Sequence, residues 1–281
     1  MDETPIQEPA GSAPDETAAR TEGSRLGRRA GRAGRIALMI VAVVLIVIGA
    51  SAILTGIFES TRATTVRYDG AVDRLVVRSG NGEIVVTATD TTEIEVQRDE
   101  RYVFRRPGRV AAVENGTLTL EDGCPSFNFL FLGGCRVDFR ITVPAATAID
   151  LDSSNGDLVV EGIEGTIVVR TSNGDIDLDR VAGATEAVTS NGSIVGRGLE
   201  TDTVRADTSN GRVSLVFASI PDGVEANTSN GDIDIALPDA PYRIDTDTGN
   251  GDVDIQVVSD PDARRSITAT SSNGNIDIRR R

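Results

Sequence analysis

Apolar and polar residues alternate in short runs on both sides of a recurring Asn-Gly dipeptide. The dipeptide occurs eight times on one frame, and from Asn155 onward the spacings are 18, 18, 19, 20, 20 and 23 residues. Alternation with a period of two predicts a β-strand with one buried face, and a period near twenty residues indicates a repeat architecture. Each repeat is therefore predicted to hold two short strands that meet at an asparagine: Asn81, Asn155, Asn173, Asn191, Asn210, Asn230, Asn250 or Asn273.

The predicted inward residues lie at fixed distances from each asparagine. In one repeat they are Ile167, Val169 and Thr171 before the turn and Ile176 and Leu178 after it. The inward residue nearest the turn is always Ser or Thr, which suggests that small hydroxyls fill a narrow corner of the core. Asn and Gly tolerate positive φ, so the pair suits a sharp reversal of the chain.

Two architectures fit this alternation, a meander of hairpins and a β-solenoid in which each repeat is one rung. A hairpin needs only Asn-Gly, yet Thr-Ser-Asn-Gly recurs at 171–174, 189–192, 208–211 and 228–231. Repetition of the preceding Thr-Ser favours stacked ladders of hydroxyls and amides. We therefore predict an all-β fold, a parallel β-solenoid with about 18–20 residues and two short strands per rung. Since parallel crossovers are nearly always right-handed, the coil is predicted to be right-handed.

The repeat motifs resemble a known family. The run VDFRITVP at 137–144, then IDLDSSNGDLVV, then repeated TSNGDIDI is similar to the "putative-adhesin" β-strand-repeat domain family of bacterial cell-envelope proteins. The resemblance covers about residues 65–281. It implies the repeat fold and a place in the cell envelope, and it supplies no catalytic residues.

An uncharged apolar run at 36–58 precedes the repeats. As a helix its 23 residues would span about 34 Å, enough to cross a bilayer once. Six arginines precede the run, so the positive-inside rule places the N-terminus in the cytoplasm and the repeats outside. The rival reading is a cleaved signal peptide, because Ala50-Ser51-Ala52 fits a cleavage site. The long charged leader and the continued apolar run favour an uncleaved anchor in the cell membrane.

The regions on either side of this run differ in composition. Residues 1–35 have few large apolar groups and are predicted to form a disordered cytoplasmic tail. The tail is either a docking segment for a cytoplasmic partner or simply a leader that sets topology. Residues 62–144 are predicted to form an irregular N-terminal part and cap of the β domain with a disulfide loop, and 145–281 the regular repeats. The arginines at 279–281 follow the last strand and are expected to discourage end-to-end stacking.

The two cysteines, Cys124 and Cys135, both fall in the predicted external part. An even count outside the membrane predicts one disulfide between them. The enclosed loop is apolar on both faces, and it is either a hydrophobic finger for a partner or a plug over the open end of the core. The candidate contact residues of this loop are Phe127, Phe129, Leu130 and Phe131.

Outward aspartates form the second candidate site, in columns next to the turns. Stacked carboxylates repel one another, and Ca²⁺ would relieve this. However, the column breaks at Ser193 and Arg212, and the pattern is not that of the calcium-binding nonapeptide repeats. No metal or cofactor is therefore expected.

Catalysis and nucleic-acid binding are both disfavoured by composition. The chain has no histidine, lysine or tryptophan and shows no nucleophile or acid–base pair of a recognisable kind. Its net charge of −15 comes from the part after the tail, because six acids balance six arginines in 1–35. Such a domain would repel nucleic acid. We expect a non-catalytic, adhesin-like interaction module that meets a protein or a glycan at the cell surface. An envelope sensor that signals through the tail and a structural spacer are the alternatives.

Overall fold

A computed structural model describes residues 39–43, 45, 59–69, 72–103, 105–124 and 134–281. The chain divides into two compact units, Met1–Ile57 and Phe58–Arg281. In the first unit, residues 39–43 and 45 are helical. No helix within the described part of the chain is both long enough and apolar enough to cross a membrane. The rest of the predicted span 36–58, and the predicted tail 1–35, lie outside the described residues.

The second unit is built from strands, as the period-two alternation predicts. Most strands have one buried and one exposed face, because apolar and polar residues alternate along them. In chain order they are β1 (Glu59–Tyr68), β2 (Arg74–Asn81), β3 (Ile84–Thr89), β4 (Ile94–Val103), β5 (Val110–Glu114), β6 (Thr117–Glu121), β7 (Cys135–Pro144), β8 (Ala148–Asn155), β9 (Leu158–Glu161), β10 (Ile167–Asn173), β11 (Ile176–Asp179), β12 (Thr185–Asn191), β13 (Ile194–Leu199), β14 (Thr203–Asn210), β15 (Val213–Phe217), β16 (Gly223–Asn230), β17 (Ile233–Leu237), β18 (Arg243–Asn250), β19 (Val253–Ile255), β20 (Ser266–Asn273) and β21 (Ile276–Arg280).

The two strands on either side of each Asn-Gly form one rung, and equivalent strands of adjacent rungs pair in parallel. Asn173 stands opposite Asn155 on one side and Asn191 on the other, so the repeats stack in register. The eight strands before the turns, together with β5 and β6, form a ten-stranded sheet, sheet B. The eight strands after the turns, together with β1, β4 and β7, form an eleven-stranded sheet, sheet A. The parallel, in-register stacking confirms the solenoid and excludes the meander for these rungs.

The inward residues of the two sheets make one continuous core. Ile176, Leu178, Ile233 and Ile235 are all fully buried, as the alternation predicts. The rung of Asn81, which lies in the segment assigned by sequence to the N-terminal part, stacks in register on that of Asn155.

Rungs near the C-terminus do not stack in chain order. The last rung, β20 and β21, inserts between the rung of β16 and β17 and the rung of β18 and β19. The expectation that Arg279–Arg281 block an open end is therefore wrong. Arg281 donates its backbone N–H to the carbonyl of Leu237 at 2.9 Å, and Arg280 pairs with Asp239. The end rung of the stack belongs to Asn250.

The other end of the stack carries strands that run against the rungs. β6 pairs with β2 and β7 with β3, both in parallel, so they add one more rung. Beyond them β5 pairs antiparallel with β6, and β4 and β1 continue antiparallel from β7. β5 and β6 are joined by a ninth Asn-Gly, Asn115-Gly116, in which both residues have positive φ. This pair forms the tight hairpin that the sequence pattern associated with the dipeptide.

The corners of the rungs use Asn-Gly for a different reason. Among the described non-glycine residues only Asn115 and Arg180 have positive φ, so positive φ at the corner asparagines is not the explanation. At Gly174 an added Cβ would lie 2.1 Å from the carbonyl oxygen of Gly156, so glycine is required by the close approach of adjacent rungs. The Thr171 hydroxyl donates to this same oxygen at 3.1 Å, which satisfies it inside the corner.

The asparagine side chains form a ladder along the stack. The Nδ2 of Asn173 donates to Oδ1 of Asn155 at 3.0 Å, and Asn191 donates to Asn173 at 2.9 Å. The same bond joins every successive pair of rungs from Asn81 to the end rung: Asn81–Asn155, Asn191–Asn210, Asn210–Asn230, Asn230–Asn273 and Asn273–Asn250. The expected amide ladder is thus present. The corner hydroxyls do not bond to one another but donate to a glycine carbonyl of an adjacent rung, as those of Thr189 and Thr208 do to Gly174 and Gly192.

Candidate functional site

The cysteine loop emerges from the corner of the rung formed by β6 and β7, where the other rungs have Asn-Gly. Cys124 and Cys135 are joined by a disulfide, in agreement with the pairing expected from the sequence. Phe127, Phe129, Leu130 and Phe131 lie outside the described residues. Their role as a finger or a plug stays a prediction.

A buried ion pair fastens the N-terminal end of the stack beside this corner. Glu100 is fully buried and pairs with Arg98 at 3.5 Å and Arg106 at 3.1 Å. Burial lowers the pKa of the Arg98 guanidinium from its ordinary value, against the opposing effect of Glu100. Arg98 also donates to the carbonyls of Gly108 and Asp122, so it ties two loops to the sheet. Sequence reasoning missed this pair because β4 lies outside the repeat frame.

The aspartate columns are held by the fold itself. Asp157 accepts the backbone N–H of Asp175 at 2.9 Å, and Asp175 accepts that of Ser193 at 2.7 Å. The same contact recurs at Asp232, which accepts from Asn275. Since each of these three carboxylates satisfies a backbone donor on the next rung, an aspartate directly after Asn-Gly has a structural role at these inner rungs. No group of three or more acidic, cysteine or histidine residues in the described ranges could hold a metal ion.

A groove of about 450 Å³ crosses the beginning of five strands of sheet B. Its floor is a column of small residues at the starts of these strands. Its wall is the column of outward residues two positions further along each strand. Because the strands are in register, both columns run along the axis of the stack. The floor consists of Thr166, Ala184, Thr203, Gly223 and Ser266, and the wall of Val168, Glu186, Arg205, Glu225 and Thr268.

Charge along the groove alternates. Arg205 lies between Glu186 and Glu225 in the wall column, and it pairs with Glu225 and with Asp207. The Asp207 carboxylate is the main cause of the raised pKa of Arg205. The side chains of Glu186, Arg205 and Glu225 are 39%, 49% and 43% exposed, so they can exchange their partners for those of a ligand. The lining offers hydroxyls and charges and no aromatic side chain.

The side chains that line the groove can be compared with those that catalysis requires. The groove residues include no cysteine, and its two carboxylates are separated by the rung that carries Arg205. We find no nucleophile with an adjacent base among the residues that line it. The sequence pattern alone did not locate this groove. The signal that points to it is a column of small residues at the start of five strands of sheet B, or one position before that start.

Comparisons with known proteins bear on the fold. A family model described as Toastrack DUF4097 matches residues 72–280. The chain belongs to the Toastrack DUF4097 family. This match confirms the resemblance recognised from the repeats. No curated protein matches the chain.

The solved structures that are similar to this Toastrack chain include the following three. One, a putative cell adhesion protein from Clostridium sporogenes, is 14% identical with a TM-score of 0.32 and aligns 79% of this chain with 100% of its own. A putative adhesin from Bacteroides fragilis is 16% identical with a TM-score of 0.44, over 79% and 98% of the two chains. A putative lipid binding protein from Parabacteroides distasonis is 14% identical with a TM-score of 0.47, over 78% and 96%.

Proposed function

We propose that this Toastrack chain is a non-catalytic, adhesin-like interaction module that displays a right-handed β-solenoid at the outer side of the cell membrane. In this proposal residues 36–58 are the single-pass anchor and the N-terminus is cytoplasmic. The apolar run and the arginines before it support the anchor. The observation that supports the binding role is the axial groove of sheet B, which repeats the same small floor over five rungs.

The groove suits an extended polypeptide segment of a surface partner. A chain lying along the axis would meet a new rung about every 4.8 Å. It would find hydroxyls for its backbone and, at Glu186, Arg205 and Glu225, charges of both signs for its side chains. Glycan-binding surfaces usually offer aromatic platforms, and the lining has none. A protein partner is therefore favoured over a glycan.

Photo-crosslinking in cells that produce the full-length chain tests this role. A photoreactive residue in place of Thr203, in the groove floor, should give an adduct with a polypeptide partner. The same residue in place of Ser214, on the outward face of sheet A, is the matched control. Absence of any adduct, or equal adducts from both positions, would contradict the groove as the binding surface.

A second comparison separates the adhesin from the sensor. Deleting residues 1–19, while keeping the arginines next to the apolar run, should leave the crosslink from position 203 and surface binding unchanged. If the deletion abolishes a response that depends on the external ligand while binding persists, the sensor replaces the adhesin as the function.

A further inference from the structure

The eight corner Asn-Gly pairs carry a chemical liability that the stack suppresses unequally. In any Asn-Gly peptide the glycine nitrogen can attack the side-chain amide of the preceding asparagine, since glycine has no Cβ to hinder the approach. The attack requires that the N–H lose its proton and that the asparagine side chain turn over its own backbone.

Inside the stack, hydrogen bonds oppose both the loss of the glycine proton and the rotation of the asparagine side chain. The Gly174 N–H donates to the backbone carbonyl of Asn191 at 3.0 Å. The Asn173 side chain donates to Asn155 at 3.0 Å and accepts from Asn191 at 2.9 Å, so both of its ends are held. The close approach of Gly174 to Gly156 also restricts backbone movement. Each inner corner has the same glycine bond to the next rung: Gly82 to Asn155, Gly156 to Asn173, Gly192 to Asn210, Gly211 to Asn230, Gly231 to Asn273 and Gly274 to Asn250.

The end rung lacks half of these restraints. No rung follows Asn250, so Gly251 is exposed and its N–H has no acceptor among the described residues. The Asn250 side chain keeps one ladder bond, from its Nδ2 to Oδ1 of Asn273 at 2.9 Å. The Oδ1 of Asn250 accepts no hydrogen bond from any residue that the structure describes. The end at Asn81 differs, because the Gly82 N–H is bonded to Asn155 and Gly82 is buried.

We propose that Asn250-Gly251 is a site of spontaneous covalent modification, and that the seven other corner pairs are protected by the stack. The deprotonated nitrogen of Gly251 forms a bond to Cγ of Asn250, and the side-chain nitrogen leaves as ammonia. The resulting succinimide adds one water at either carbonyl, which opens it to aspartate or isoaspartate. The net reaction consumes one water and releases one ammonia, and it needs no other reactant.

Modification changes the end of the stack. An ionised carboxylate at position 250 cannot donate, so the terminal ladder bond to Asn273 is lost. Asp247 and Asp252 already lie close in sequence, and the new charge adds to theirs. The isoaspartate product also lengthens the backbone by one atom, which puts β18 out of register with β20 at this corner. The end rung is therefore loosened while the inner rungs remain.

Peptide mapping of the folded full-length chain tests the site. Cleavage after arginine releases residues 244–264, in which Asn250 is the single asparagine, and separates it from the inner corners. During incubation at mildly alkaline pH, Asn250 should be converted at least about tenfold faster than Asn173 or Asn191, since two restraining hydrogen bonds are missing. Equal rates at these three positions would overturn the proposal.

The unfolded chain and two variants serve as controls. In denaturant the difference between Asn250 and the inner corners should disappear, because all of them are flanked by glycine and freed from the stack. Asn273→Ala removes the oxygen that holds the Asn250 amide and should speed conversion of Asn250 several-fold in the folded chain. Asn155→Ala makes the same change far from the end and should leave that rate unchanged. A difference that persists in denaturant, or equal effects of the two variants, would overturn the protection by the ladder.

Discussion

An inner rung and the end rung of the stack share one sequence pattern and differ in burial. Ile176 and Leu178 on an inner rung are fully buried, whereas Val253 and Ile255, at the equivalent positions of the end rung, are 42% and 39% exposed. Each pair occupies the same inward positions after Asn-Gly. In a solenoid the neighbouring rungs on both sides bury the inward side chains of each rung. The same apolar residues therefore contribute less to stability at the end rung, which has a neighbour on one side.

Glycine at the corner should show the largest difference between the two rungs. Gly174→Ala places a Cβ 2.1 Å from the Gly156 carbonyl with rungs on both sides, and it should destabilise the domain by more than about 4 kcal/mol. Gly251→Ala makes an equally close contact to Gly274, but the end rung can move away, so about 1–2 kcal/mol is expected. Denaturant unfolding of the purified chain gives both values.

Gly223→Ala is the control for this pair. Its added Cβ would have its nearest neighbour, in the side chain of Thr203, at 3.9 Å, so stability should change by less than about 0.5 kcal/mol. Equal losses for Gly174→Ala and Gly251→Ala would show that the end rung is as constrained as the inner ones.

Truncating a core isoleucine should sharpen the comparison at a smaller scale. Ile176→Ala leaves a cavity between two rungs and should destabilise the domain by about 2–5 kcal/mol. Ile255→Ala removes a side chain that is already partly in water and should have an effect below about 1 kcal/mol. Thermal or denaturant unfolding distinguishes these results, and a loss at Ile255 as large as that at Ile176 would mean that something covers the end rung in solution.

Tyr242 should give a small effect that changes with pH. Burial raises its pKa above the ordinary value of 10.0, so the fold favours the neutral phenol. The stability that Tyr242 contributes is therefore complete below about pH 10 and is lost as the pH rises through the raised pKa. Tyr242→Phe should lose about 1 kcal/mol near neutrality with its bond to the Pro238 carbonyl, and should decline less steeply in alkali. Unfolding curves at several pH values test this, and parallel declines would refute it.

The alternation around each Asn-Gly was sufficient to predict the strands and their inward faces, and the recurrence of the preceding Thr-Ser favoured the parallel stacking, because each is a local pattern that repeats. The stacking order of the last rungs could not be predicted from this pattern. Any rung offers the same ladder to any other, so the rung of Asn230 can accept that of Asn273 as well as that of Asn250. The signal was the longest gap after Asn155, the 23 residues from Asn250 to Asn273, which hold the connection from β19 back to β20.

The candidate sites were less predictable than the fold. The sequence did not favour a metal at the aspartate columns, but it could not show their structural role, which depends on backbone partners on the next rung, as for Asp157 with Asp175. The buried pair of Arg98 and Glu100 depends on contacts between β4 and distant loops. The groove depends on which residues align at the start of the strands of sheet B, which requires the register of five rungs together.

The asparagine ladder makes the inner rungs interchangeable building units. Each inner rung presents the same amide contacts to the rungs on its two sides. A whole rung of about twenty residues could therefore be duplicated or deleted without altering the antiparallel strands at one end, or the last two rungs, whose stacking order is reversed, at the other. The length of such a rod can thus change during evolution in steps of one coil, while its terminal specialisations stay intact.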